Sequence, residues 1–250
     1  NAVVANSFSA TDYVLTSAFD FDVNGFEIDW ISSSSSTPWH VNVIDRNISI
    51  RNGIHFASAN FEHSIQSSTK FNLTLEDVVI DGSCSTDCSY KFELDWNLDG
   101  TLIANNLEIE ATQYREVELG FEARNIILTN SSIEASTKNA YEYSDSTLDS
   151  DIIINANSVS MFDSKIIVDS QQTGTYQHSY QRKGYSDLVI ESIDLKLNNG
   201  TILARALNNG GHSSYQVSYA NLEIDTDNFT VIDSSVQSKF EGNYGSDDLD

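Results

Sequence analysis

The segment LIANNLEIEAT, Leu102 to Thr112, contains two short runs in which apolar and polar residues alternate. The first run ends at Asn105 and Asn106, and the second begins at Leu107. Alternation with a period of two places every second side chain on one side of a β-strand. A short Asn or Asp connector bends the chain sharply between two strands. The segment therefore predicts two strands joined by a tight corner.

The same form recurs along the chain, at steps of about 22 to 34 residues between the second strands of successive pairs. Such a period is typical of repeated supersecondary units. Further copies are VIDRNISIRNG from Val43, LTLEDVVIDGS from Leu73, IILTNSSIEAS from Ile126, SVSMFDSKIIVDS from Ser158, LVIESIDLKLNNG from Leu188 and LEIDTDNFTVIDSS from Leu222. The second strands are marked by Ile28, Ile50, Ile80, Ile109, Ala135, Val168, Leu197 and Val231.

One such repeat cannot bury its apolar side alone, whereas stacked coils pair each strand with its counterpart one coil away. A third strand per coil is indicated by HFASANF near His55, YKFELDW near Tyr90, REVELGF near Arg115, AYEYS near Ala140 and TILARAL near Thr201. The pattern resembles the right-handed parallel β-helix superfamily, the pectin-lyase-like fold, from about Phe19 to Ser235. The competing fold is an antiparallel sandwich, because Asn-Gly and Asp-Gly also favour hairpins.

We therefore predict an all-β, single-domain right-handed parallel β-helix, a solenoid of roughly seven to eight irregular coils. The predicted organisation is an N-terminal extended arm or cap at 1–18, the β-helix at 19–235 and an acidic tail at 236–250. The arm is strand-capable and can pair with its own molecule or with the edge of a neighbour.

The composition is strongly acidic, with 37 acidic against 13 basic residues and a formal net charge of −24. This charge repels phosphate backbones and anionic lipid surfaces, so we expect neither nucleic-acid nor membrane-surface binding. No apolar run reaches the roughly 18 residues of a membrane span. The charge fits a solubilising surface, a chain that works in high salt, or the binding of divalent cations between carboxylates, and calcium is the candidate cofactor.

Two stretches match the first half of a calcium loop, D-x-[DN]-x-[DN]-G. The residues at the ligand spacing are Asp20, Asp22 and Asn24 in the first stretch, and Asp95, Asn97 and Asp99 in the second. The intervening residues are bulky and apolar, and the twelfth positions, Ile31 and Asn106, are not Glu. Both stretches are therefore interpreted first as strands with a glycine corner, and second as candidate calcium sites on an exposed strand.

Several features are typical of an exported chain. Cys84 and Cys88 lie four residues apart and are predicted to close a small loop as a disulfide. The chain begins with Asn1, as a mature chain does after removal of a signal peptide, or as a fragment does. We expect an extracellular or cell-surface location. Candidate glycosylation sequons begin at Asn47, Asn72, Asn130, Asn199 and Asn228.

The resemblance implies that the cleavage of acidic polysaccharides has to be considered. Only a partial match to the polygalacturonase G-H-G motif occurs, in GGHSS from Gly210, and the R-x-K motif is absent. An enzyme is therefore not indicated, although the sequence leaves the question open. The one basic cluster is a candidate glycan or partner contact, and it comprises Tyr176, His178, Tyr180, Arg182, Lys183 and Tyr185.

Three functions remain as hypotheses. The first is a non-enzymatic structural subunit of an extracellular or cell-surface assembly, a filament, sheath or surface layer built by β-edge and loop contacts. In that case the partner is another copy of the chain, in a homo-oligomer or polymer assisted by calcium. The second is carbohydrate binding or polysaccharide degradation, and the third is an adhesin or passenger domain.

Overall fold

The computed structural model describes nineteen strands, and it describes side chains in residues 72–83, 92–138, 147–172, 183–208 and 218–242. This part of the chain contains no helix, and so none long and apolar enough to cross a membrane. The strands are β1 Ala2–Val3, β2 Phe8–Ser9, β3 Tyr13–Leu15, β4 Phe19–Asp22, β5 Glu27–Trp30, β6 Trp39–Val43, β7 Ile48–Ala57, β8 Phe61–Ser67, β9 Leu73–Asp81 and β10 Lys91–Gln113. They continue as β11 Glu116–Thr129, β12 Ser132–Asn139, β13 Thr147–Phe162, β14 Lys165–Gln172, β15 Arg182–Asn198, β16 Thr201–Asn208, β17 Gln216–Ile232, β18 Ser235–Gly242 and β19 Gly245–Leu249.

Strand pairing is parallel throughout the described ladder, and each strand pairs with its counterparts in the neighbouring coils. The predicted all-β parallel β-helix of right-handed type is confirmed. Each coil contributes a segment to each of three faces. Face 1 contains 92–98, 116–123, 149–156, 185–192 and 218–226. Face 2 contains 72–76, 101–105, 125–129, 158–162, 194–198 and 228–232, and face 3 contains 78–81, 107–113, 132–138, 165–172, 201–208 and 235–242.

The corner between faces 2 and 3 is made by Asn or Asp with positive φ, between 48° and 58°. Asn and Asp tolerate this left-handed conformation because their short polar side chains hydrogen-bond locally. Within the stack, the Asn106 amide donates to the Asp77 carboxylate at 2.7 Å, and the Asn199 amide donates to Asp163 at 2.6 Å. The predicted Asn/Asp connector is thus a real corner, formed by Asp77, Asn106, Asn130, Asp163, Asn199 and Asp233.

A serine after the corner residue continues this hydrogen-bonded stack. The hydroxyl of Ser131 accepts from the Leu107 N–H, and the N–H of Ser131 donates to the hydroxyl of Ser164. Each hydroxyl also donates to a carbonyl two residues earlier, as Ser164 does to Phe162 at 2.7 Å. These bonds satisfy backbone groups that the turn removes from the ladder.

The core fills the inside of the coils, and most of the alternating inward side chains are apolar. In one coil the buried positions shift by one residue at two corners, from Ala123 to Ile126 and from Leu128 to Ser131. Such a shift restores the inward orientation after a corner, so all three faces direct their apolar side chains to one core. Phe92, Leu128 and other side chains there are completely buried.

The sequence pattern placed some strands on the wrong face. Ile80 and Ile109 share one position on face 3, whereas Leu197 and Val231 lie on face 2. The apolar-x-apolar form is the same on every face, so the pattern alone confused them. In the backbone, β1 to β3 and β18 and β19 join the parallel ladder beyond residues 19–235. The domain boundaries and the number of coils stay predictions.

Candidate functional site

Face 1 carries more acidic side chains than either of the other faces, counted over the part with described side chains. Its outward positions alternate with buried apolar ones, so the carboxylates form ladders at the strand spacing of about 4.8 Å. None of the outward positions in these ranges carries a basic side chain, and Lys183 lies on β15 two residues before Tyr185, beside this face. The outward acidic residues are Glu93, Asp95, Glu116, Glu118, Glu122, Asp149, Asp151, Asp187, Glu191, Glu223 and Asp225.

Three of these carboxylates converge. Asp151 is directly beside Asp187 in the next coil, and Asp149 lies two residues before Asp151 on the same strand. A carboxylate oxygen from each lies within 4.8 Å of the other two, and all three side chains are half-buried. Among the described residues, this is the group of three His, Cys, Asp or Glu side chains with the spacing of a metal site.

The electrostatics of the cluster favour a bound proton or cation. Burial, followed by the charges of Asp149, Asp187 and Glu118, raises the pKa of Asp151 to about 8. Burial also raises the pKa of Asp187, against a hydrogen bond from Asn221 that lowers it. The Oδ1 atom of Asp151 is buried and has no hydrogen-bond partner. An oxygen-only cluster of this kind matches the ligand preference of calcium.

The predicted calcium residues of the second stretch do not form this cluster. Asp95, Asn97 and Asp99 follow one strand, with Trp96 and Leu98 buried between them, as the strand interpretation expects. Asn97 donates to Glu122 at 2.7 Å. Asp99 forms an ion pair with Arg124 at 2.8 Å, and burial and then the nearby Glu93 raise the pKa of Asp95. Calcium at these positions stays a prediction.

The first stretch is described by its backbone only. Asp20 and Asp22 lie in β4, and β5 follows it at Glu27–Trp30, in agreement with two strands around a turn. Asn24 and the side chains of this stretch lie outside the described residues.

Sequence reasoning missed the Asp149, Asp151 and Asp187 cluster. The only local signal is the short Asp-Ser-Asp run at 149–151, which by itself resembles any exposed strand. Asp187 joins it from 36 residues later through the strand register. The register could not be fixed across the variable segment between β14 and β15.

In the coil at 218–242, the strands on faces 2 and 3 have no partner on their outer side among the described strands, and this edge is here called the open end. On face 1, β19 pairs with β17 and Leu222 is completely buried. On face 2, the described strands provide no partner on the outer side of 228–232, and Phe229 and Val231 are 45% and 46% exposed. Leu195, which occupies the position of Phe229 one coil earlier, is 1% exposed. The side chains of Phe229 and Val231 therefore occupy core positions but are exposed to solvent.

The basic cluster is only partly described. The part of the cluster outside the described residues comprises Tyr176, His178, Tyr180 and the side chain of Arg182. Lys183 is exposed beside face 1. Tyr185 stacks on Tyr219 of the next coil, with ring centroids 5.3 Å apart and 9° between the planes.

The other predicted modification sites are divided in the same way. Cys84, Cys88 and Asn47 lie outside the described residues, so the disulfide stays a prediction. Asn130 and Asn199 are corner residues of the hydrogen-bonded stack. Asn72 accepts the Thr101 N–H through Oδ1 at 2.8 Å, and Asn228 donates to Asp194 at 2.9 Å. Glycosylation at these sequons also stays a prediction.

A groove of about 180 Å³ lies on face 3, between Glu134, Ser136, Asp169 and Arg205. Asp169 is 4% exposed and receives two bonds from the Arg205 guanidinium, at 3.2 Å and 2.6 Å. The hydrogen bond to Asp169 raises the pKa of Arg205 further. The pair neutralises the buried charge, so its role here is to hold two neighbouring coils together.

Comparison of the chain with protein-family models, with curated proteins and with solved structures found no match.

Proposed function

We propose that this protein is a non-enzymatic structural subunit of an extracellular or cell-surface assembly, a filament, sheath or surface layer that grows by strand pairing at the open end of the solenoid. The observation that carries the proposal is the exposure of Phe229 and Val231, which occupy core positions of the last coil. The same positions are buried in every preceding coil of the described stack, as at Leu195 and Leu197.

An added coil stabilises this end in two ways. It supplies hydrogen bonds to the free backbone groups of 228–232, which otherwise form an open template for pairing. It also completes the burial of Phe229 and Val231, which are about half exposed. At about 1.5–3 kcal/mol for full burial of such a side chain, each gains roughly 1 kcal/mol. A second copy adds such a coil through strand addition.

The two ends of a parallel solenoid are complementary and not identical. A head-to-tail contact between them is heterologous, so it produces an open filament unless the rotation closes a ring. The resemblance to the pectin-lyase-like superfamily contributes only this architecture to the proposal, because a fold does not fix a function.

Calcium forms the second part of the proposal. The cluster of Asp149, Asp151 and Asp187 offers oxygen ligands, and a divalent cation there would offset the mutual repulsion of face 1. Binding would stabilise the rod and lower its net charge, and both effects favour association of copies.

Carbohydrate binding is the second candidate function, supported by the stacked pair of Tyr185 and Tyr219. Tyr219 is 39% exposed, and exposed aromatic rings provide a flat apolar surface for a ligand. Loss of glycan binding on changing Tyr219 to Ala would support it. An adhesin or passenger domain remains a third proposal, carried by the rod shape alone.

The test is assembly of the 250-residue chain, followed by electron microscopy and sedimentation velocity, with and without calcium. We expect filaments from the wild type and dispersed monomers from Val231→Glu, which places a charge on the open core position. Gln237→Glu is the matched control, because it adds the same charge to an exposed position of the same coil on face 3. Monomeric wild type under all conditions, or filaments of Val231→Glu, would contradict the proposal.

A further inference from the structure

Face 2 differs from the other faces in charge. In the part with described side chains, the charged residues at its outward positions are Glu76, Asp194 and Lys196. The remaining outward positions are neutral, and they are Asn72, Thr74, Thr101, Ile103, Asn105, Asn125, Ile127, Thr129, Ser158, Ser160, Phe162, Asn198, Asn228, Thr230 and Ile232. In a chain with a net charge of −24, face 2 is therefore the side with the fewest charged residues among the described side chains.

Several polar side chains of face 2 already have partners within the face. Asn228 donates to Asp194 at 2.9 Å, and Asn125 donates to Thr101 at 3.3 Å. The ammonium of Lys196 lies 5.5 Å from the centre of the Phe162 ring. Covering this face leaves these bonds in place, which lowers the cost of removing water from the groups that form them.

Face 2 also exposes apolar side chains. Ile103 is 37% exposed and Ile232 is 43% exposed, since both apolar side chains occupy outward positions of regular strands. Ile127 lies on the same ladder as Ile103, one coil further on. The face thus combines apolar area with satisfied polar groups, as the cores of protein interfaces do.

We propose that face 2 is the surface on which a second copy of this protein docks side by side, face 2 against face 2. The inference rests on the proposed function, and it adds lateral association to growth at the ends. The distribution of charge between the faces indicates how a second copy can bind. Two copies that meet through face 1 bring ladders of carboxylates together, which is strongly unfavourable, whereas face 2 brings together neutral positions. The contact is two-fold symmetric, because the same surface serves both copies.

The size of the face determines when the contact is stable. The six strand segments of face 2, spaced about 4.8 Å apart, and five residues at about 3.3 Å each give roughly 480 Å² per partner. A stable interface buries about 800 Å² per partner, so two single chains associate weakly. Rods that are already joined end to end repeat the contact at every subunit, and the contacts then act together. Lateral association should therefore follow filament growth.

Two sequons bear on this surface, because Asn72 and Asn228 lie on one outward ladder of face 2. A glycan on either residue would occupy the contact. We therefore expect unglycosylated protein to form thicker assemblies than protein that is glycosylated at these residues.

The first test compares the thickness of assemblies formed by the wild type, Ile127→Glu and Ile153→Glu, using the full chain. Ile153 is 53% exposed on face 1, so its variant is a matched control with the same change on another side. We expect bundles of rods from the wild type and Ile153→Glu, and single filaments from Ile127→Glu. Bundles of unchanged thickness from Ile127→Glu would overturn the role of face 2 and leave end-to-end growth intact.

The second test does not require filaments. A photocrosslinking amino acid replaces Ser160 on face 2, or Glu223 on face 1, in a mixture of isotopically light and heavy chains at high concentration. We expect crosslinks between chains from position 160 to face 2 peptides, and a yield at least tenfold lower from position 223. Equal yields, or crosslinks from position 160 that fall on faces 1 and 3, would refute the inference. Because this crosslinking does not depend on filaments, it tests the face 2 contact even if end-to-end growth does not occur.

Discussion

Replacement of Asp151 by Asn should stabilise the protein at neutral and alkaline pH. The pKa of Asp151 is raised to about 8 from an ordinary value of 3.8, first by burial and then by neighbouring carboxylates. An acid with a raised pKa in the folded state holds its proton there while the unfolded chain has already lost it. Stability is therefore complete below about pH 4 and is lost as the pH rises through 8.

The size of the effect follows from the difference between the two pKa values. At 1.36 kcal/mol per pKa unit, the full linkage from 3.8 to 8 would be about 6 kcal/mol. Asp151 is only half-buried, and solvent screens part of each interaction, so we expect about 2 kcal/mol at pH 8. Asparagine keeps the shape of the side chain and removes the charge.

The measurement is urea denaturation of wild type and Asp151→Asn between pH 4 and pH 8, in the presence of a calcium chelator. The gain in the free energy of unfolding should be near zero at pH 4 and should grow toward about 2 kcal/mol at pH 8. Asp225→Asn is the control, because it removes the same charge from an exposed position of the same face. A constant difference for Asp151→Asn across the range would refute the reasoning about burial and charge.

Three further predictions concern the cation, the packing and the corners. Millimolar calcium should raise the melting temperature of the wild type and leave Asp151→Asn unchanged; equal shifts in both would place the ion elsewhere. Gly82→Ala should cost about 1–3 kcal/mol, since the new Cβ would lie 2.4 Å from the Phe92 ring, whereas Gly120→Ala meets its nearest atom at 3.3 Å and should cost less. Asn130→Ala should cost about 1–2 kcal/mol because φ is 48°, and Asn130→Gly should cost less; equal losses in urea denaturation would contradict this account.

The fold could be predicted because its determinants are local. Apolar alternation defines a strand in a few residues, and Asn or Asp marks the corner at Asn106 and Asp163. The assignment of strands to faces could not be predicted so well. Leu197 and Ile109 belong to different faces, yet each stands in an apolar-x-apolar run beside an Asn or Asp. Nothing within such a run distinguishes one corner of the coil from another.

The candidate site depended on information that the local pattern does not contain. Asp149 and Asp151 are neighbours in sequence, but Asp187 reaches them only through the pairing of β13 with β15. A slip of one residue in that register would turn Asp187 into the core and separate the three carboxylates. The motif at Asp95 illustrates the converse case, because its spacing matches a calcium loop while its strand geometry spreads the side chains along one face.

The proposed self-association of so acidic a chain depends on the distribution of charge around the rod. Alternation within each strand fixes which residues are outward, and the corners then assign those residues to separate sides of the solenoid. The carboxylates of face 1 therefore repel only partners that approach from that side, since screening limits their range to about 8–10 Å. Phe229 and Val231 are exposed at the open end, and Ile103 is exposed on face 2. The charge distribution thus favours contacts away from face 1, and the open end and face 2 both carry exposed apolar side chains.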